Sequence, residues 1–219
     1  MSIRTWLAAL SLSAAVTGAA HAIVISYDQA IPMTPTSFST QVDFPQFDPS
    51  VGTLQSVKIT VYAQTDAVVG FESFDPLPSE VSGTVQTNVT VFRPDNSAII
   101  TVSPAAPFAA SLTGFDGTYD RDGTSGKTID DLSANQVLDI TLTDVSDLTL
   151  FTGNGTISLP VTAVGLSSIL GPATLAFLSD AVASATVQID YEYMLIPEPA
   201  TCLLLGLSSL ALLRRRRVA

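Results

Sequence analysis

The sequence predicts an all-β protein, an antiparallel β-sandwich of seven or more strands. Residues 56–63, 81–91 and 185–193 alternate apolar, largely β-branched or aromatic side chains with polar ones. This period of two indicates half-buried strands with one face in the core and one face in water. Many short strands without a convincing amphipathic helix are typical of a sandwich of two packed sheets.

Weaker patterns add further elements in chain order. Strands are also predicted over residues 98–102, 137–143, 148–151 and 157–161. Turns are predicted at Pro94-Asp95-Asn96, at Gly153-Asn154-Gly155 and in the long Gly/Asp-rich stretch after Thr113. Residues 166–183 are the region where a short helix is expected, interrupted by Gly171-Pro172 because proline breaks a helix interior.

The N-terminal residues 1–22 have the three parts of a secretory signal peptide. Arg4 supplies the basic start, residues 6–15 form a short apolar stretch, and Ala20 and Ala22 are the small residues at the cleavage site. We therefore expect signal peptidase to cut after Ala22 and the chain to be exported.

The C-terminal residues 197–219 predict a single membrane-spanning helix. Residues 200–213 are apolar, but 14 residues at ~1.5 Å each reach only ~21 Å of a ~30 Å hydrocarbon core. Pro197 and Pro199 mark the start of the helix, and the arginines that follow it can reach the headgroups and lengthen the span. The basic cluster also predicts a cytoplasmic C-terminus. This stop-transfer cluster consists of Arg214, Arg215, Arg216 and Arg217.

This ending resembles the PEP-CTERM sorting signal, in which a Pro-Glu-Pro motif, an apolar helix and a terminal arginine cluster follow one another. Pro197, Glu198 and Pro199 match the motif. The resemblance implies that exosortase, an integral-membrane cysteine protease-like enzyme, recognises the motif and processes the anchor. It leaves residues 23–196 as the exported domain.

The exported domain itself resembles the choice-of-anchor E family. The matching phrases are "FPQFDPSVGTLQSVKITVYA", "FDGTYDRDGTSGKTIDDLSANQ" and "LTLFTGNGTISLPVTAVG". The resemblance implies an exported domain whose members carry alternative anchors. It supplies no catalytic residue.

Composition excludes several function classes. Residues 23–196 hold four basic and nineteen acidic residues, a net charge of −15, which repels nucleic acid. The one histidine, His21, and the one cysteine, Cys202, lie in the predicted sorting segments. The domain therefore lacks the residues for a Ser-His-Asp or Cys-His nucleophile or a His/Cys zinc site, and we expect no enzyme activity.

One acidic stretch, "FDGTYDRDGTSGKTIDD", is a candidate calcium site. Asp116, Asp120, Asp122 and Asp130 could supply the oxygen ligands that calcium prefers, and the spacing Thr118-x-Asp120-x-Asp122-Gly123 partly matches an EF-hand loop. Thr118 and Ile129 stand where that loop has its first and last acidic ligands. The favoured interpretation is a solvated hairpin loop whose Asp and Gly residues satisfy turn geometry, without a cofactor.

The leading hypothesis is an exported, non-catalytic protein that begins as an inner-membrane-anchored precursor. It then reaches the cell surface or an extracellular polysaccharide matrix such as a biofilm. Its partners would be signal peptidase, exosortase, the membrane and extracellular polysaccharide. The alternatives are a calcium-dependent adhesion or carbohydrate-binding module and a carboxylate-based glycan-active enzyme.

Overall fold

The computed structural model describes residues 22–195 and residue 206. It confirms an all-β, antiparallel architecture, with nine strands and one short helix within residues 22–195. In chain order the elements are β1 (Ala22–Pro35), β2 (Phe38–Pro45), β3 (Gly52–Ser73), β4 (Ser79–Phe92), β5 (Ala98–Val102), β6 (Ala105–Leu112), β7 (Gly126–Leu142), α1 (Val145–Phe151), β8 (Thr156–Leu170) and β9 (Leu175–Leu195).

The strands form two sheets that enclose a shared core. Sheet A has the order β1-β9-β3-β7, and sheet B has the order β2-β8-β4-β5 with β6 also paired to β4. β5 and β6 pair with successive parts of the same edge of β4, so they act as one interrupted strand. The alternation predicted for residues 56–63 is confirmed, since Val57, Ile59 and Val61 are fully buried.

Two apolar clusters fill the space between the sheets. The larger one lies near the two ends of the described domain, at Ala22 and Leu195, and includes Phe44, Phe151 and Tyr191. The smaller one lies at the opposite end and includes Phe71, Val81 and Phe108. We call these two halves of the sandwich the terminal half and the loop half.

The predicted strand over residues 148–151 is wrong, because these residues belong to helix α1. The helical spacing of Asp147 and Phe151 turns both side chains towards the protein body, where both are buried. Asp147 accepts two hydrogen bonds from the guanidinium of Arg93, at 2.6 Å from Nε and 2.9 Å from Nη2. These contacts with distant residues favour the helix over the local strand pattern.

The prediction that residues 166–183 could hold a short helix is also wrong. β8 continues to Leu170, β9 begins at Leu175, and Gly171-Pro172 lies in the turn between them. Residues 164–170 pair with β4, and residues 175–181 pair with β3. Backbone pairing with these long neighbours overrides the weak local preference.

Among the described residues, no helix has the length and apolar character that crossing a membrane requires. The predicted C-terminal span lies outside the described residues except for Gly206, which is helical.

Candidate functional site at the tip of the loop half

The acidic stretch predicted as a loop lies at the end of the sandwich farthest from Ala22 and Leu195, the two ends of the described domain. It links Leu112, the last residue of β6 in sheet B, to Gly126, the first residue of β7 in sheet A. β3 starts beside these domain ends, where Gly52 pairs with Leu195, and ends beside this loop. Because β3 has 22 residues, the loop lies about 70 Å from the domain ends. We call residues 113–125 the tip loop.

Glu72 organises the tip loop. Its position on β3 has the same parity as the exposed Tyr62 and Val68, so its side chain belongs to the outer face of sheet A. It is nevertheless fully buried, because the tip loop folds over this face. The backbone N–H of Arg121 donates to its carboxylate at 2.7 Å, and the Ser125 hydroxyl donates at 2.6 Å.

Ser125 joins the two ends of the loop to the sheet. Its hydroxyl oxygen accepts a hydrogen bond from the backbone N–H of Asp116 at 3.2 Å. Its carbonyl oxygen accepts one from the backbone N–H of Ser73 at 2.9 Å. The next residue must be glycine, because a Cβ on Gly126 would lie 2.2 Å from a carboxylate oxygen of Glu72. Glu72 and Ser125 therefore attach the tip loop to the end of β3.

The acidic side chains of the tip loop mostly serve its own backbone. Asp116 Oδ1 accepts from the Thr118 N–H, and Asp120 Oδ1 accepts from the Asp122 N–H, both at 3.0 Å. Each contact closes an Asx-turn, as the turn geometry predicted for these residues requires. The loop is not the predicted hairpin, because β6 and β7 belong to different sheets. The hydrogen bond from Thr118 is also the main reason why the pKa of Asp116 lies below its ordinary value.

The predicted calcium ligands are not gathered into one site. Asp116, Asp120 and Asp122 lie in the tip loop, whereas Asp130 lies on β7 and is exposed. No three acidic, histidine or cysteine side chains within residues 22–195 are arranged to hold a metal ion. Calcium binding stays a prediction from sequence.

Two exposed aromatic rings of the tip loop and one at the end of β3 form a ridge. The ring centroid of Phe74 lies 5.1 Å from that of Phe115 and 5.5 Å from that of Tyr119. The guanidinium of Arg121 lies 5.6 Å from the Tyr119 centroid, within cation–π distance. Tyr119 is 55% exposed and Phe74 40% exposed. We call Phe74, Phe115 and Tyr119 the aromatic ridge.

An open depression adjoins the loop next to this ridge. Its lining includes Asp120, Arg121, Asp122, Lys127 and Thr128. Carboxylates, two cations and a hydroxyl can exchange hydrogen bonds with a polar ligand, and aromatic rings can pack against its apolar faces. This arrangement suits non-covalent binding of a polar ligand.

Sequence reasoning missed both Glu72 and the aromatic ridge. Glu72 occupies a position whose parity predicts exposure, so no local signal indicates its burial. The ridge had a weak signal, since Phe115 and Tyr119 flank Gly117 in the acidic stretch and Phe74 follows β3.

The predicted sorting residues lie almost entirely outside the described part of the chain. These are Ala20, Pro197, Glu198, Pro199, Arg214, Arg215, Arg216 and Arg217. Ala22, the residue after which cleavage is predicted, is the first residue of β1.

No protein-family model and no curated protein matches this chain. Among solved structures, the chain is similar to dimeric latent PorU from Porphyromonas gingivalis, with a TM-score of 0.30 and 12% identity over 81% of this chain and 14% of PorU. An infectious bursal disease virus (Gx strain) structure matches with a TM-score of 0.17 and 15% identity, over 99% of this chain and 55% of that one. Desmodium yellow mottle tymovirus matches with a TM-score of 0.17 and 12% identity, over 91% and 98%. The chain thus spans a small part of PorU and about half of the bursal disease virus chain. No functional residue is carried over from these weak likenesses.

Proposed function

We propose that this protein is an exported, non-catalytic surface or extracellular-matrix protein that exosortase sorts through Pro197, Glu198 and Pro199. The observation that carries the proposal is the pairing of an N-terminal export signal with a C-terminal Pro-Glu-Pro motif, apolar run and arginine cluster around one β domain. The strongly acidic domain suits an extracellular environment of cations and neutral sugars.

The positions of the two domain ends support this proposal. Ala22 pairs with Met194 across β1 and β9, and Gly52 pairs with Leu195 across β3 and β9. Both ends of the domain therefore leave the sandwich at the same end, and Pro197 follows Leu195 after a single residue. An anchor there would hold the terminal half against the membrane and direct the tip loop about 70 Å outwards.

Intact-mass measurement of the exported protein tests the sorting role. Replacing Glu198 with Ala is expected to trap the precursor with its tail attached, because the resemblance assigns recognition to this motif. Glu192→Ala is the matched control, since Glu192 is an exposed residue of the same final strand. Normal removal of the tail from the Glu198→Ala protein would refute the proposal.

The aromatic ridge favours a second candidate function, binding of a neutral polysaccharide at the tip. Exposed rings can pack against sugar rings, and the adjacent carboxylates can accept hydrogen bonds from sugar hydroxyls. The net charge of −15 opposes anionic polymers. This function would place the binding surface at the end farthest from the anchor.

Binding of a soluble neutral glucan to the full chain tests this second function. Tyr119→Ala should weaken binding at least several-fold, whereas Tyr62→Ala should leave it unchanged. Tyr62 is a matched control because it is 45% exposed but lies on the outer face of sheet A, away from the tip. Equal affinities of the two variants would remove the ridge as a binding surface.

A further inference from the structure

The turn between helix α1 and strand β8 contains an asparagine followed by a glycine. Asn154 and Gly155 are both exposed. Among residues 22–195, none is hydrogen-bonded to the Asn154 side chain, and none accepts a hydrogen bond from the Gly155 N–H. The side-chain amide of Asn154 and the backbone nitrogen that follows it are therefore free to react with each other.

An asparagine in this setting can lose its amide group without an enzyme, which is one reason why asparagine is a thermolabile residue. The backbone nitrogen of Gly155 attacks Cγ of Asn154, and the new C–N bond closes a five-membered imide. The amide nitrogen leaves as ammonia, which takes up the proton of the Gly155 N–H. Water then opens the ring at one of its two carbonyl carbons and leaves aspartate or isoaspartate at residue 154. Glycine favours the attack because it has no Cβ to hinder the approach.

The three other asparagines of the chain lie in less reactive settings. Asn96 is in an exposed turn, but the backbone N–H of Ser97 donates to Asp95 Oδ1 at 2.9 Å. Asn88 and Asn135 lie within paired strands, where hydrogen bonds fix the backbone and the next residues carry side chains. The turn after α1 is thus the place where a following glycine and an unpaired backbone N–H coincide.

Both neighbours of Asn154 are tied to the segment that follows β2. The Gly153 N–H donates to the Phe47 carbonyl at 2.9 Å, and the Gly155 carbonyl accepts from the Gln46 N–H at 3.0 Å. Isoaspartate carries the main chain through its side chain, so it adds one methylene group between these two contacts. Conversion therefore lengthens a turn whose two ends are fixed and should loosen its contacts with residues 46 and 47.

We infer that Asn154 is a modification site, at which the backbone nitrogen of Gly155 converts the asparagine to aspartate and isoaspartate. The co-reactant is water, so conversion accumulates with the age of the molecule. Each event adds one negative charge to a domain that already carries −15. The inference is independent of the proposed sorting and of the tip loop.

Peptide mapping of the full chain by mass spectrometry, after incubation at mildly alkaline pH, is the first test. We expect residue 154 to convert at least several-fold faster than residue 96, with part of the product labelled by isoaspartyl methyltransferase. Gly155→Ala should slow conversion at least several-fold. This variant keeps the fold, since a Cβ on Gly155 would meet the side-chain oxygen of Gln46 at 3.3 Å and no other atom within 4 Å. Equal rates at residues 154 and 96, or an unchanged rate in Gly155→Ala, would overturn the inference.

A second variant separates the effect of structure from that of the residue pair. Ser97→Gly gives Asn96 the same neighbour as Asn154, while the backbone N–H at residue 97 can still donate to Asp95. We expect residue 96 of this variant to convert several-fold more slowly than residue 154. Conversion at the same rate would mean that the residue pair alone sets the rate, and the role of the unpaired N–H would be wrong.

Hydrogen exchange of the incubated chain tests the structural consequence. Asn154→Asp is the matched control, because it carries the new charge without the longer main chain. Residues 46–47 and 153–155 should exchange faster in the isoaspartate-containing fraction than in Asn154→Asp. Equal exchange in the two proteins would contradict the loosening of this turn.

Discussion

The terminal half and the loop half of the sandwich share five long strands but are held together differently. β3, β4, β7, β8 and β9 run through both halves, whereas β1 ends at Pro35 and β2 begins at Phe38, near the middle. The terminal half is therefore wider and encloses the larger apolar cluster. The loop half has narrower sheets and the smaller cluster.

Polar contacts complement the smaller core of the loop half. There the stacked rings of Phe71, Phe108 and Phe177 fill the interior, and the tip loop closes the end around the buried carboxylate of Glu72. In the terminal half, Tyr191 contacts three other aromatic rings and its hydroxyl donates to the Pro45 carbonyl at 2.9 Å. Hydrogen bonds can therefore close a narrow end of a sandwich where the buried apolar area is limited.

A buried pair of hydroxyls lies at the boundary between the two apolar clusters. Thr65 on β3 and Thr87 on β4 are both fully buried, and their side-chain oxygens are hydrogen-bonded to each other. The larger cluster includes Ala63 and Val89, and the smaller one includes Ala67 and Val85. The two clusters therefore meet at a polar contact.

The largest expected effect is loss of the terminal core. Phe44→Ala should lower the free energy of unfolding by about 3–5 kcal/mol, because the side chain is fully buried in the larger cluster. Phe74→Ala, the control in the exposed ridge, should cost less than about 1 kcal/mol. Urea unfolding of the full chain measures both values. Similar losses would show that the larger cluster does not dominate stability.

The next effect separates the tip loop from the rest of the domain. Glu72→Ala should cost about 2–3 kcal/mol, because the Arg121 N–H and the Ser125 hydroxyl lose a charged acceptor in a buried place. Hydrogen exchange followed by mass spectrometry should show faster exchange in residues 113–125 while β1 and β2 stay protected. The exposed Glu80→Ala is the control. Unchanged exchange in the tip loop would contradict the anchoring role of Glu72.

A smaller effect tests the boundary between the clusters. The Thr65 hydroxyl also donates to the Val182 carbonyl at 3.3 Å, so it keeps this hydrogen bond when Thr87 is replaced. The Thr87 hydroxyl loses its hydrogen bond when Thr65 is replaced. Thr65→Val should cost about 1–3 kcal/mol, since it leaves the buried Thr87 hydroxyl unpaired. Thr87→Val, and the double substitution, should each cost less. A double variant whose loss equals the sum of the single losses would mean that the two hydroxyls do not interact.

The smallest effects concern pH and differ between the two halves. Burial raises the pKa of Tyr191 well above its ordinary value of 10, so its contribution to stability is present below pH 10 and is lost as the pH rises further. The lowered pKa of Asp116 has the opposite sign, so its contribution is present above pH 3.8 and is lost as the pH falls further.

Denaturant unfolding across pH, with two variants, measures these effects. Tyr191→Phe should remove part of the alkaline loss of stability, and Asp116→Asn should remove part of the acid loss. Each variant should leave the other limb unchanged. A Tyr191→Phe protein with the wild-type alkaline profile would exclude this phenol as the group that titrates.

Local sequence patterns were sufficient to predict an all-β fold and to suggest the sorting hypothesis. The runs around Val57, Val85 and Ile189 alternate with period two, and this local rule needs no knowledge of the neighbouring strands. The same rule would have indicated β1, where Ile25 and Tyr27 alternate with the polar Ser26 and Asp28, although that strand was not predicted. The expectations for the two termini rest on order and composition alone and remain proposals.

Contacts between distant residues set the helix and the buried carboxylate. Residues 148–151 became helical because Asp147 and Phe151 find partners far along the chain. Glu72 is buried because a loop about 50 residues later folds over an outward-facing position. Periodicity reports which way a side chain points, but the segment that covers it is set by contacts between distant parts of the chain.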